Sequence, residues 1–307
     1  DAIATAKALD TKRQMGKPLG KLHGVVIALK DVICYKGHQV SAASKILQNF
    51  TSIYHATAVE KLLAEDAIII GRTNCDEFAM GGSNENSCYG PSENPWRKGY
   101  VAGGSSGGAA SAQAARLCFG SLGTDTGGSI RQPSSLCGLY GIKPTYGRVS
   151  RYGIVAYASS LDQAGPMANC TKDAAEILYV MSGYDEKDST SSPSTVPDYA
   201  KNISTDMSQM TIGLPKEYFG EDLNPEVKQI VLNAVDTLKK LGAKVKEVSL
   251  PNTRYAVPVY YLVATSEASS NLSRYDGIKY GLRVPSQDLS ELYKETRSQG
   301  FGLEVKK

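Results

Sequence analysis

The sequence predicts an α/β protein, because short apolar strands alternate with an amphipathic helix in its first part. Residues 24–29 (GVVIAL) and 67–71 (AIIIG) are unbroken apolar runs, which are typical of strands buried on both faces. A helical segment, residues 58–65 (AVEKLLAE), lies between them. This alternation of strand and helix is typical of the α/β class.

Helical patterns also occur before and after this region. An alanine-rich helix is predicted from the first residues (Ala2, Ala4, Ala6, Ala8), and another one at residues 109–118. The second of these lies within residues 99–131, which are otherwise rich in glycine and serine. Residues 172–181 predict a further helix.

Residues 184–210 predict an exposed connecting loop, since the stretch around STSSPSTVP lacks apolar periodicity. Beyond it, residues 211–214 predict a strand, and an amphipathic helix begins at Pro225. Residues 243–250 (AKVKEVSL) alternate as a half-buried strand does. We expect one domain covering residues 1–307. Because the chain begins inside a helical pattern without Met and stops without a terminating signal, we expect it to be truncated at both ends.

The composition excludes several classes of protein. A formal net charge of +3 over 307 residues is too small for a nucleic-acid-binding surface, so contact with nucleic acid would need another protein. No apolar run is long enough to cross a membrane, and the N-terminus lacks the pattern of a signal peptide. We therefore expect a soluble, cytoplasmic protein that does not bind membranes.

The six cysteines are widely spaced, without a CxxC pair. No histidine lies at the spacing that a zinc site needs. The sequence therefore predicts buried free thiols and no metal site.

The segment GGSSGG, residues 103–108, contains GxSxG with Ser105 at its centre, as does the nucleophile elbow of α/β-hydrolases. That fold places its histidine after the nucleophile, whereas the three histidines here all precede Ser105. Ser105 therefore needs a different base. Taken alone, the segment also fits a flexible loop.

A second cluster, residues 123–133 (GTDTGGSIRQP), places two glycines immediately before Ser129. Glycines at these positions let successive backbone N–H groups converge on one point, as an oxyanion hole requires. Ser129 is therefore a candidate nucleophile. A phosphate-binding loop is the alternative, although neither GxxxxGK[ST] nor GxGxxG is present.

Lys30 is the candidate base, because it directly follows the apolar run and no suitably placed histidine exists. Burial would lower the pKa of its amine and allow the neutral form to accept a proton. If Lys30 is considered without the serine clusters, the alternative is a surface lysine whose aliphatic stem packs on the strand. The two serine clusters favour the first interpretation.

Together these segments resemble the amidase signature family, which combines a lysine after an apolar strand, a GGSSGG loop and a GTDTGGSIRxP segment. Ser129 follows Ser105 by 24 residues and Lys30 by 99, and the resemblance covers almost the whole chain. It implies a mixed central sheet covered by helices on both faces. It also implies that Ser129 forms the acyl ester and that Ser105, after a cis peptide from Gly104, relays a proton to Lys30.

The resemblance assigns further roles around Ser129. Arg131 would organise the loop, although an exposed ion-pairing arginine is an equal alternative. The oxyanion hole would consist of backbone N–H groups, those of Thr126, Gly127, Gly128 and Ser129.

Within the family, the chain is most similar to the ammonia-supplying A subunits of tRNA-dependent amidotransferases. The similarity includes residues 74–82 (NCDEFAMGG), 141–163 and 266–277 (SEASSNLSRYDG). It implies that the chain hydrolyses glutamine within a complex with B and C subunits and binds no cofactor itself. The B subunit would contact tRNA and use ATP and Mg²⁺ to amidate misacylated Glu-tRNA(Gln) or Asp-tRNA(Asn).

The same similarity implies a glutamine pocket lined by Tyr260 and by the backbone of Met80 and Gly81. For Tyr260, core packing of a helix face is an equal alternative. The arginine and aspartate that would bind the α-carboxylate and α-amino groups are expected beyond Lys307. Two other hypotheses stay open: a stand-alone amidase of small or aryl amides, and a non-catalytic scaffold with the same fold.

Overall fold

The computed structural model describes residues 1–307. Its helices are α1 (Ala2–Gln14), α2 (Thr57–Ala64), α3 (Gly107–Ala114), α4 (Arg131–Leu136), α5 (Thr171–Met181), α6 (Pro225–Lys240), α7 (Ala256–Leu272), α8 (Leu289–Gly300) and α9 (Leu303–Lys306). Its strands are β1 (Val26–Lys30), β2 (Ile68–Thr73), β3 (Gly120–Asp125), β4 (Tyr140–Gly141), β5 (Gln163–Ala168), β6 (Thr211–Pro215) and β7 (Lys244–Val248). Short 3-10 helices cover Lys45–Leu47, Glu77–Ala79, Lys216–Phe219 and Pro251–Tyr255.

The chain forms two compact units. One comprises Asp1–Ala200 with Ala264–Lys307, and the other comprises Lys201–Val263. Helix α7 begins in the second unit and ends in the first.

The first unit contains a mixed five-stranded sheet in the order β2-β1-β3-β5-β4. Strand β1 is parallel to both β2 and β3, whereas β5 is antiparallel to β3 and β4. Every residue of β3 and β5 is buried, so both faces of the sheet are covered at these strands. The predicted fold class, a mixed sheet with helices, is confirmed.

Strand β3 was not predicted, because its sequence GSLGTD contains only one large apolar residue. Its glycines allow close packing instead. A Cβ atom on Gly120 would lie 2.3 Å from Ile177 Cδ1 of α5, and one on Gly123 would lie 2.8 Å from Ser106 Oγ. The space that side chains would fill is therefore taken by neighbouring elements.

The second unit contains the parallel pair β6 and β7, joined by α6. The Asn224 side chain accepts hydrogen bonds from the backbone N–H groups of Glu226 (2.8 Å) and Val227, which explains why the helix begins here. Val235 of the apolar face is buried, whereas Ile230 is 68% exposed. The predicted helix and both strands are present.

Residues 184–210 contain no helix or strand. Within them Asp185, Asp188 and Ser191 are buried. Asp185 accepts hydrogen bonds from the hydroxyl groups of Thr57 and Ser150, each at 2.6 Å, which ties the start of the segment to the first unit.

All six cysteines are free, but the expectation that they are buried was wrong for two of them. Cys170 is exposed at the N-cap of α5, where its Sγ accepts a hydrogen bond from the Asp173 N–H at 3.4 Å. Cys88 is only partly buried. None of the helices is both long enough and apolar enough to cross a membrane.

Candidate active site

Lys30 is the last residue of β1, and its side chain is fully buried. Its Nζ lies within hydrogen-bonding distance of three hydroxyl oxygens: 2.7 Å from Ser105 Oγ, 2.9 Å from Ser106 Oγ and 2.9 Å from Thr124 Oγ1. The predicted contact between Lys30 and Ser105 is therefore present. The alternative of a surface lysine is wrong, because the strand ends inside the protein.

Burial lowers the pKa of Lys30 from 10.5 to about 8, although four surrounding acidic groups favour the charged form. These are Cys75, Asp76, Asp162 and Asp125. Burial also raises the pKa values of Asp76 and Asp162. The amine is consequently easier to deprotonate than an exposed lysine.

Ser105 is fully buried, and the peptide bond from Gly104 to Ser105 is cis, as the resemblance implied. The next residue, Ser106, holds this loop against two other segments. Its Oγ donates to the Thr124 carbonyl at 3.1 Å, and its N–H donates to the Ser129 carbonyl at 3.2 Å. Both serine clusters thus meet at the end of β1.

Ser129 lies in the turn between β3 and α4, and 8% of its surface is exposed. Asp125, which is fully buried, holds this turn. Its carboxylate accepts hydrogen bonds from the backbone N–H groups of Gly128 (2.8 Å), Ile130 (3.1 Å) and Arg131 (3.3 Å). The Arg131 guanidinium adds two more at 3.0 Å, so the predicted loop-organising contact of this arginine is present.

The pKa of Asp125 is lowered overall. Burial by itself would raise this pKa, but the hydrogen bonds from Arg131 and from the backbone of Ile130 and Gly128 outweigh it. Asp125 is therefore a buried carboxylate that stays charged and accepts the hydrogen bonds of the backbone N–H groups in this turn.

The predicted oxyanion-hole amides are not equivalent. The Gly128 N–H donates to Asp125 and is thus already engaged in this structure. The N–H groups of Thr126, Gly127 and Ser129 make no hydrogen bond within the protein. The role of these amides in an oxyanion hole stays a prediction.

Residues 80–83 lie directly against the Ser105 loop. A Cβ atom on Gly104 would be 2.8 Å from the Ser83 nitrogen, and one on Gly81 would be 2.4 Å from Asp76 Cγ. Met80 and Gly81 are partly exposed beside this contact. Tyr260 lies on α7 in the second unit, and its predicted role stays a prediction.

Several residues of the site were not predicted individually. Ser106, Thr124 and Asp125 belong to the serine clusters, so those segments carried a signal for them. Asp76 and Asp162 lie within residues 74–82 and 141–163, which carried the family resemblance, but nothing in those segments indicated that the two carboxylates lie near Lys30. No group of three or more His, Cys, Asp or Glu side chains in the chain is arranged to hold a metal ion.

The sequence model of the amidase family matches residues 1–307. The chain belongs to the amidase family. The resemblance inferred from Lys30 and the two serine clusters is thereby confirmed. The matched residues include all of the site described above.

Relatives within the amidase family resemble the chain over its full length. The A subunit of the Glutamyl-tRNA(Gln) amidotransferase of Bdellovibrio bacteriovorus is 56% identical over 311 residues, covering 100% of this chain and 64% of that protein. The chain thus spans less than two thirds of this relative's length.

Solved structures of the amidase family share the fold. The A subunit of the Glutamyl-tRNA(Gln) amidotransferase of Thermotoga maritima has a TM-score of 0.80 at 43% identity, covering 87% of this chain and 57% of that one. The peptide amidase of Stenotrophomonas maltophilia has a TM-score of 0.82 at 31% identity, covering 100% of this chain and 66% of that one. Similarity to an amidotransferase A subunit is therefore present in sequence and in structure.

Proposed function

We propose that the chain is the ammonia-generating subunit of a tRNA-dependent amidotransferase and that it hydrolyses the side-chain amide of glutamine. The buried contact between Lys30 Nζ and Ser105 Oγ, beside the Ser129 turn, supports amide hydrolysis. The 56% identity to the A subunit of a Glutamyl-tRNA(Gln) amidotransferase supports this substrate and this assembly.

In the first step, Ser129 Oγ attacks the amide carbonyl carbon. The Ser129 proton passes to Ser105 Oγ, while the Ser105 proton passes to the neutral amine of Lys30. With a pKa of about 8, about a tenth of the Lys30 side chains are uncharged at pH 7. In this proposal the backbone N–H groups of Thr126, Gly127 and Ser129 stabilise the negative oxygen that develops.

In the second step, the tetrahedral intermediate collapses and the carbon–nitrogen bond breaks. Lys30 returns its proton through Ser105 to the leaving nitrogen, which departs as ammonia. Water then attacks the Ser129 ester and releases glutamate. The buried surroundings of Lys30 and Ser105 limit proton exchange with bulk water.

The remaining roles belong to partner subunits in this proposal. A B subunit binds the tRNA and uses ATP and Mg²⁺ to activate the misacylated glutamyl or aspartyl group, and a C subunit completes a cytoplasmic heterotrimer. The net charge of +3 is consistent with a chain that contacts tRNA mainly through a partner. No cofactor is assigned to the chain itself.

Expression together with the neighbouring subunits tests the assembly. We expect the chain to co-purify with partner subunits and misacylated tRNA with ATP to raise the rate of glutamate release. A chain that stays alone and shows no response to tRNA would contradict the proposal.

A stand-alone amidase is the second candidate, and the TM-score of 0.82 to a peptide amidase favours it. The two proposals differ in substrate preference. Rapid turnover of C-terminal peptide amides by the isolated protein, with glutamine turned over slowly, would support this candidate instead.

A further inference from the structure

Gln132 connects two segments that frame the candidate active site. It follows Ser129 by three residues, and its backbone N–H donates to the Gly128 carbonyl at 2.8 Å. Its side-chain Oε1 accepts a hydrogen bond from the Gly104 N–H at 3.0 Å. Its Nε2 donates to the Gly82 carbonyl at 2.8 Å. One carboxamide thus bridges the peptide before Ser105 and the end of residues 80–82.

The helix that carries Gln132, the Gly103–Gly104 peptide and residues 80–82 are packed closely together. A Cβ atom on Gly103 would lie 2.5 Å from Gln132 Oε1. A Cβ atom on Gly104 would lie 2.9 Å from the Gly82 carbonyl carbon. Backbone segments that approach so closely transmit any shift of one to the other. The Gln132 side chain is nevertheless exposed, so its own packing contributes little to the core.

We propose that Gln132 is a positioning residue, whose carboxamide sets the distance between the Gly104–Ser105 peptide and the wall formed by residues 80–82. This inference rests on the proposed function, because it concerns the geometry in which Ser129 and Ser105 meet an amide. The donor end of the carboxamide positions the wall that lines the substrate. The acceptor end positions the serine that passes on the proton.

Three substitutions separate the two ends. Gln132→Glu keeps an acceptor for the Gly104 N–H but replaces the donor to the Gly82 carbonyl with a repelling oxygen. Gln132→Leu has a similar size and removes both hydrogen bonds. Ser135→Ala, at an exposed position of the same short helix, is the matched control.

Steady-state hydrolysis of glutamine by the purified protein, with partner subunits where these co-purify, distinguishes the variants. For Gln132→Glu we expect KM to rise about tenfold with kcat within about threefold of the wild type. For Gln132→Leu we expect kcat also to fall, by about 10- to 100-fold, because small displacements of reacting groups are costly. Ser135→Ala should match the wild type.

Wild-type kinetics for Gln132→Leu would overturn the inference. An identical kcat loss in Gln132→Glu and Gln132→Leu would overturn the separate roles of the two ends. If Gln132→Leu does not fold, the split between KM and kcat in Gln132→Glu still decides.

Hydrogen exchange at the Gly104 amide separates this inference from the proposed function. Because Gln132→Leu removes the acceptor of that N–H, its exchange should become faster than in the wild type and in Ser135→Ala. A wild-type protein that hydrolyses no amide would contradict the proposed function, while faster Gly104 exchange would still support the positioning role. Unchanged exchange would contradict it.

Discussion

At residue 30, burial and three hydroxyl neighbours act on the same amine. Burial lowers the pKa of Lys30 to about 8, and the hydroxyl groups of Ser105, Ser106 and Thr124 fix the direction of its Nζ. A freely moving lysine at the surface would have neither property. The residue is therefore placed to exchange a proton with Ser105 near neutral pH.

The pH dependence of acylation tests this role. If neutral Lys30 accepts the proton, kcat/KM should rise about tenfold per pH unit below pH 8 and level off above it, because deprotonation activates the base. Lys30→Ala should be nearly inactive at every pH. A variant that regains wild-type activity at high pH would show that solvent, not Lys30, is the base.

Ser129→Ala tests the nucleophile. The change removes one hydroxyl from a turn residue and leaves the backbone hydrogen bonds of the turn in place, so we expect no covalent adduct and a melting temperature close to the wild type. Mass spectrometry after acid quenching of a reaction with a slow amide measures the adduct. An adduct that persists in the variant would refute the assignment of Ser129.

At the scale of elements, the Asp125 carboxylate accepts hydrogen bonds from two backbone N–H groups in the turn between β3 and α4 and from the first residue of α4. Asp125 is fully buried, whereas the Arg131 side chain is 54% exposed. Removal of Arg131 leaves Asp125 with its backbone donors, but removal of Asp125 leaves the buried N–H of Ile130 and the partly buried N–H of Gly128 unpaired. Asp125 should therefore contribute more to the stability of the turn than Arg131 does.

We expect Asp125→Ala to lower the free energy of unfolding by about 2–4 kcal/mol, because an unpaired buried donor costs most of its hydration. Arg131→Ala should cost about 1 kcal/mol, as is usual for a half-exposed pair. Urea unfolding followed by circular dichroism measures both. Equal losses for the two variants would mean that the ion pair, and not the backbone hydrogen bonds, holds the turn.

At the scale of the whole molecule, Asp66 joins the N-terminal helix to the first unit's core. It accepts hydrogen bonds from Lys12 Nζ of α1 at 2.7 Å and from the Gly20 N–H at 2.8 Å, and its other contact is His23 Nδ1 at 3.0 Å. Burial by itself would raise the pKa of Asp66, but these hydrogen bonds lower it to about 2. The charged form thus stabilises the folded state.

Acid unfolding tests this contact. The pKa of Asp66 is about 2 in the folded protein and 3.8 in the unfolded chain. The charged carboxylate therefore stabilises the folded state above pH 4, and this stabilisation is lost as pH falls towards 2. Asp66→Asn should therefore be less stable than the wild type at pH 7, with a difference that shrinks below pH 4. Asparagine also tolerates the backbone φ of 64° found here.

Asp222→Asn, at an exposed position, is the control and should follow the wild type throughout. Urea unfolding at pH 7, 4 and 3 provides the measurement. A stability difference for Asp66→Asn that stays constant over this range would show that its charge contributes nothing.

The predictability of the fold differed between its parts. Helices α2 and α5 carry apolar periods and strands β1 and β2 are apolar runs, because these elements pack against the core of the first unit. Helix α6 and strand β7 were also predicted from their periodicity, although only Val235 of α6 and no residue of β7 is buried. Strand β3 lacks such a period, since its glycines let α5 and the Ser106 loop approach its backbone. Strand β3 is therefore buried by neighbouring elements that pack on its glycines, and it has no row of apolar side chains that would show in the sequence.

The sequence by itself determined the candidate chemistry: a lysine after a buried strand, two glycine–serine segments and their order, which together indicate the amidase family. Only the tertiary structure decided which groups touch. Lys30 and Ser105 are 75 residues apart, and the contacts of Ser106, Thr124 and Gln132 join separate segments. Local patterns report backbone conformation and burial, whereas such hydrogen bonds depend on how the packed elements bring distant residues together.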